Sequence, residues 1–124
     1  MFSIESLTEY LENEVTYNYF VNDFPSNSPD SSAFLRFEGG FTPSKWTSFK
    51  RPSFQAIVRG GKNEGKETEQ KANEIYQFFH QRKEFEIEGY RIVICLADQS
   101  IPFPIGTDEN HRPLYSVNFT LTLI

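Results

Sequence analysis

The chain has 124 residues, enough for one compact domain whose core is stable without staples. Its formal net charge of −5 argues against generic nucleic-acid binding, and one cysteine with two histidines cannot build a disulfide framework or a zinc site. The start carries Glu5 and Glu9 instead of an apolar run, and nothing approaches the ~20 apolar residues of a membrane span, so neither a signal peptide nor a membrane segment is expected.

Ser3 to about Val15 reads as a helix, because Ile4, Leu7, Leu11 and Val15 recur at helical spacing with Tyr10 beside them. Ser3 suits the cap and Glu5 the positive end of the helix. Tyr17 to Val21 is aromatic and β-branched, a short strand stopped by Asn22-Asp23-Phe24-Pro25. Turn residues follow through Ser31. Ser32 to Glu38 is a second strand, with Ala33, Leu35 and Phe37 on one face and Phe34 and Arg36 on the other; Gly39-Gly40 ends it. Residues 41–52 are a long connection that mixes Pro, small polar residues, cations, Trp46 and Phe49. Connections of that length carry function or are disordered, and the rings argue against plain disorder.

Ser53 to Arg59 is a third strand, with Phe54, Ala56 and Val58 on one side and Gln55, Ile57 and Arg59 on the other. After Gly60-Gly61, Glu67 to about Arg82 reads as a second helix with Ala72, Ile75, Tyr76 and Phe79 as its apolar stripe. Phe85 and Ile87 alternate before Gly89. Tyr90 to Ala97 is the most apolar strand and is expected at the centre of the sheet. Ile101 to Ile105 holds two prolines, so it is an edge or irregular strand. Leu114 to Ile124 alternates strictly, with Val117, Phe119, Leu121 and Leu123 facing a core, and Ser116, Asn118, Thr120 and Thr122 facing water or a partner. The order α-β-β-β-α-β-β-β predicts an α+β two-layer sandwich, two helices packed on a mostly antiparallel sheet, as a single domain over residues 1–124.

Side chains that could do chemistry are sparse. His80 and His111 are far apart, and Cys95 reads as a buried small residue in a strand, poorly activated as a nucleophile. Asp108, Glu109 and His111 imitate metal ligands but lack a spaced third ligand of the His-Glu-x-x-His kind. Gly39-Gly40 and Gly60-Gly61 are not followed by Lys-Ser/Thr in phosphate-loop spacing and read as strand-end turns. The chain is therefore expected to be no enzyme, with no catalytic residue, metal or cofactor.

Two compositional features point to a partner surface. Thirteen Phe and six Tyr exceed what a small core normally needs, so some rings are expected outside. Charge is also segregated. Residues 1–35 hold Glu5, Glu9, Glu12, Glu14, Asp23 and Asp30 and no Lys or Arg, whereas residues 36–62 hold Arg36, Lys45, Lys50, Arg51, Arg59 and Lys62 against the single acid Glu38. Cations beside Trp46 and Phe49 could stack single-stranded nucleic acid, but in a net acidic chain a protein-binding arm is the better reading.

Several motifs run in a familiar order. They are Asn22-Asp23-Phe24-Pro25, Pro29-Asp30 leading to Phe34-Leu35-Arg36-Phe37, Gly39-Gly40, and Arg51-Pro52-Ser53-Phe54-Gln55-Ala56-Ile57-Val58-Arg59. After the second helix come the strand near Ile92, Ile101–Ile105, and Thr107-Asp108-Glu109-Asn110-His111-Arg112 before Tyr115-Ser116-Val117-Asn118-Phe119. In that order they resemble the bacteriophage minor capsid or tail-terminator family, siphophage-type head–tail joining proteins. The resemblance implies two helices on a β-sheet. It implies a structural protein that caps the head-proximal end of the tail tube, stops its polymerisation and supports head–tail joining, with no catalytic residues or cofactor. The implied partners are other copies in a ring, usually six-fold when assembled while the isolated chain can be a monomer, the tail-tube protein and the head–tail connector. A membrane and sequence-specific nucleic acid are not implied. The implied location is the bacterial host cytoplasm during assembly and then the virion neck. Within such a ring, Glu5, Glu9 and Glu12 of one copy and Phe41, Lys45, Trp46, Phe49, Lys50 and Arg51 of the next are candidate complements. The alternatives are a head-completion or neck adaptor protein, a small metal-dependent hydrolase using Asp108–His111, and a small regulatory binding module.

Overall fold

The computed structural model describes residues 1–124. Its elements in chain order are α1 (Ile4–Glu12), β1 (Asn18–Val21), β2 (Ser32–Phe37), β3 (Ser53–Arg59), α2 (Gly65–Phe79), β4 (Arg82–Ile87), β5 (Tyr90–Ala97), β6 (Phe103–Thr107) and β7 (Pro113–Leu123). The fold class is α+β, two helices with a mostly antiparallel sheet. The strands run β1-β2-β3-β7-β5-β4, and β6 adds to the N-terminal half of β7. Only β1 and β2 pair in parallel.

Local chemistry sets the helix limits. The Ser3 side chain accepts from Ser6 N at 3.2 Å, which caps α1. Regular helix ends at Glu12, and a final turn, Val15 N to Leu11 O at 2.9 Å, carries the chain to Val15. The second helix stops at Phe79, short of the expected Arg82, because His80 is extended and Gln81 has φ +62. Arg82 instead opens β4 and turns its guanidinium back onto the helix end, donating to Phe78 O at 2.9 Å and to the Tyr10 hydroxyl at 3.0 Å.

The core faces agree with the alternation of the strands. Leu7, Leu11, Leu35, Phe54, Val58, Ile75, Phe79, Val117, Phe119 and Leu121 are fully buried in one cluster. At its centre the Phe54 ring lies 5.0 Å from Phe79 and 5.0 Å from Phe119. Cys95 is buried there as well, and burial pushes its thiol well above its ordinary range. A register shift between Ile92 and Ile94 resets the alternation of β5, so that Ile92 and Cys95, three residues apart, both face the core.

The sheet is curled. Helix α1 touches β1 and β2 at one end of the strand order and β4 at the other, while α2 lies across β7, β3 and β5. Phe2 closes the same seam, with its ring 6.0 Å from Phe37 and 6.2 Å from Tyr90. The most apolar strand, β5, is not central. It lies between β7 and β4, and the centre belongs to β3 and β7. The reason is length: β7 has 11 residues, so it pairs with β3 on one side and with β6 and then β5 on the other.

Loops cover part of the outer face. Residues 22–31 carry the chain between the parallel strands β1 and β2 and set Phe24 edge-on against Phe34 at 4.8 Å. Further along, Gln99 binds β7: its Oε1 accepts from Asn118 N and Nδ2, and its Nε2 donates to Ser116 O. The polar positions of β7 thus face a loop of the same chain over much of their length.

Candidate functional site

The connection between β2 and β3 is a protruding arm. Its root continues the sheet, with Phe41 N donating to Arg51 O at 2.9 Å, and Lys50 and Leu123 exchanging backbone bonds at 2.9 and 3.0 Å. Gly40 lets the two legs meet: at φ +95, a Cβ there would sit 2.2 Å from Arg51 O. The tip is ordered by hydroxyls. Ser44 Oγ accepts from Trp46 N and Thr47 N at 3.1 and 3.2 Å, and Thr47 Oγ1 accepts from Phe49 N at 3.2 Å.

The arm groups the expected residues Phe41, Lys45, Trp46, Phe49, Lys50 and Arg51 on one projection. Trp46 is 91% exposed and Phe41 57%. Arg51 stacks over Phe41 at 5.0 Å. Lys45, Lys50 and Arg51 take part in no ion pair. The basic stretch is smaller than its composition suggests, however. Arg36 pairs with Glu38 at 3.2 Å, and Arg59 is only 4% exposed. Arg59 instead fastens the 22–31 loop, through Nε to Asp30 O at 3.0 Å and Nη2 to Ser28 Oγ and Pro29 O at 2.8 and 2.7 Å. Burial, with Arg112 nearby, lowers its pKa.

Glu5, Glu9 and Glu12 line the exposed side of α1, and within the chain no ion pair joins them to the arm. Two hollows flank this helix. One, about 260 Å³, lies between α1 and β4 and is lined by Ser6, Glu9, Tyr10, Asn13 and Glu86 to Glu88. The larger, about 560 Å³, lies between the end of α1 and α2 and is lined by Glu14, Val15, Thr16, Lys71, Glu74, Gln77 and Phe78. The contributions of Glu74, Glu86 and Glu88 escaped the sequence reading, because they lie beyond the acidic first third. The exposed stripe Ile101, Phe103 and Ile105 was also missed as a surface feature. Its alternation was visible, but nothing in the sequence says whether an alternating face is covered. Pro102 and Pro104 carry no N–H, which makes this edge a poor template for strand addition.

The remaining candidates are architectural. Asp108 is a turn anchor: its carboxylate accepts from Asn110 N, Arg112 N and Arg112 Nε. Burial acts to raise its pKa, but the backbone and side-chain bonds from Arg112 outweigh it and the net shift is downward. His111 takes the φ +61 turn position. His80 Nδ1 accepts from Ala97 N at 3.0 Å and so ties the end of α2 to β5.

Comparison with known proteins adds three findings. A family model described as bacteriophage tail terminator protein matches residues 7–123. No curated protein matches the chain. A solved structure with 16% identity superposes with a TM-score of 0.57, covering 94% of this chain and 88% of its own; at that identity the likeness concerns the fold alone.

Proposed function

This chain belongs to the bacteriophage tail terminator family, a structural protein of the phage tail, and we propose that it caps the head-proximal end of the tail tube as a ring of copies. Capping requires three surfaces: one for the last ring of the tube, one for the head connector, and a self-complementary pair that closes the ring. The observation that carries the reading is the family match over nearly the whole chain. The arm supports it, because an ordered projection with Trp46 exposed and three unpaired cations is built for a protein contact. A surface of that kind does its work through placement and needs no catalytic group or cofactor.

A ring closes when one patch on each copy meets a different patch on the next. Acids on α1 and on the elements beside it, and the cations of the arm, are the proposed pair. Their opposed charge would set register and speed encounter more than it adds affinity.

Deletion of the gene from its phage, followed by electron microscopy, tests the function. Tails of abnormal length are the expected result. Finished tails of normal length lying unjoined beside filled heads would instead mark a head-completion or neck adaptor protein, and normal joined virions would overturn both readings.

A further inference from the structure

The proposed ring leaves open which surface receives the arm. We propose that the arm of one copy seats Trp46 in the groove between α1 and α2 of the next, with Lys45 and Lys50 facing Glu14 and Glu74. This rests on the ring reading above and names its contact.

The groove is the largest of the hollows on the chain, about 560 Å³. Two of its seven lining residues, Val15 and Phe78, are apolar, and both are partly buried and pack against the core. Its rim is acidic. Lys71, the cation in the lining, is already engaged, bonded to Glu74 at 2.6 Å and to Thr16 O at 2.9 Å. Glu74 is thereby held by Lys71, whereas Glu14 takes part in no ion pair of the chain and is left to meet a cation of the arm. Apolar side chains beside an unpaired acid give an aromatic anchor flanked by cations both a surface to bury against and a charge to face.

The arm has the complementary form. Trp46 stands at its tip with nothing of its own chain covering it, and the two hydroxyl-capped turns hold the tip in shape before any partner arrives. Pre-ordering of this kind lowers the entropic cost of docking. Burying a tryptophan removes roughly 150–250 Å² of surface from water, enough to make it the centre of a small contact.

Position selects a second copy as the occupant. The arm joins the body at Ser53, where β3 begins, whereas Lys71 of the groove lies 5.4 Å from the Tyr17 ring, whose hydroxyl donates to the carbonyl of Arg59, where β3 ends. Seven residues of strand separate the two ends, roughly 20 Å at the usual rise. Trp46 is 91% exposed, so the arm does not fill the groove of its own chain. Complementary surfaces at opposite ends of one molecule join copies head to tail, and repeated rotation closes them into a ring.

Trp46 is the one tryptophan of the chain, so its fluorescence reports the contact directly. The protein is concentrated while light scattering follows mass and acrylamide quenching follows Trp46. Quenching should fall as mass rises. Glu14→Lys with Glu74→Lys should weaken association about tenfold or more, and Lys45→Glu with Lys50→Glu should do the same. Mixing the two variants makes every arm opposite in sign to the groove it meets, so the mixture should assemble and bury Trp46 when neither variant does alone. That rescue also shows that both variants are folded. Assembly that leaves Trp46 fully quenchable, or that ignores both reversals, overturns this contact while leaving the ring intact. The same measurements are repeated with tail-tube protein added, since assembly can await the tube; a wild-type chain that assembles there with Trp46 still exposed overturns the contact alone, and one that stays monomeric even there overturns the contact and the ring reading together. Protection of Trp46 by a mixed-sequence single-stranded oligonucleotide, with the chain still monomeric, would assign the arm to nucleic acid instead.

Discussion

Replacing Arg59 with alanine tests whether this cation belongs to the fold or to the surface. Its guanidinium makes three bonds, to Asp30 O, Ser28 Oγ and Pro29 O, and lies 4.1 Å from the Phe24 ring centroid. Bonds from a charged donor each contribute about 1.5–3 kcal/mol, and the cation–π contact adds about 1. Part of that returns on truncation, because Pro29 and Asp30 are exposed and their carbonyls regain water. The net loss should be about 3 kcal/mol, on the order of 10 °C in melting temperature for a chain of this size. Urea unfolding followed by far-ultraviolet circular dichroism is the suitable assay, since Trp46 is exposed in the folded chain already and is a poor reporter of unfolding. Arg59→Lys keeps the charge without the planar fork and should recover about half of the loss. A loss below about 1 kcal/mol for Arg59→Ala would refute the clamp and return Arg59 to the basic surface.

Other perturbations probe the core, the arm and the titrating groups. Phe54→Ala should cost about 4 kcal/mol by calorimetry, since it opens a cavity between Phe79 and Phe119, while Phe103→Ala on exposed β6 should stay within about 0.5 kcal/mol. Gly40→Ala should break the root of the arm, because its Cβ would strike backbone at Arg51 and Pro52; amide exchange at Phe41 should rise, whereas Gly39→Ala, with open space around it, should disturb that amide less. Burial raises the pKa of Tyr17, Tyr19 and Cys95 in the folded chain above ordinary values of 10.0 for tyrosine and 9.0 for cysteine. Their neutral forms therefore stabilise the fold fully below those ordinary values, and that stability is lost as pH rises past them. Melting temperature should hold from about pH 7 to 8.5 and fall steadily above about 9.5; a flat profile to about pH 11 would contradict the burial of these groups.

The family match and the alternation of the strands read the same residues in different ways, and the second explains why the first is not obvious from any one motif. Pro52 to Arg59 is the sharpest sequence signal, and each half of it proves structural: Phe54, Ala56 and Val58 enter the core, and Arg59 holds a loop. The surfaces through which a terminator would assemble lie elsewhere, on the arm and around α1, where the sequence is polar and irregular.

Local pattern by itself determined the two helices, the inward faces of β2, β3 and β7, and a long connection bearing Trp46 and cations. These depend on spacing within one segment: an apolar stripe every three or four residues, or every second residue, marks a buried face whatever it packs against. Tertiary structure alone decided which strands are neighbours, where the sheet curls and what covers its outer face. Pairing of β7 with β3, β5 and β6 depends on backbone groups that every residue carries alike, so side-chain order does not announce it. Arg59 shows the same limit: its charge was legible, but its burial depends on carbonyls at Pro29 and Asp30 that only the folded chain brings to it.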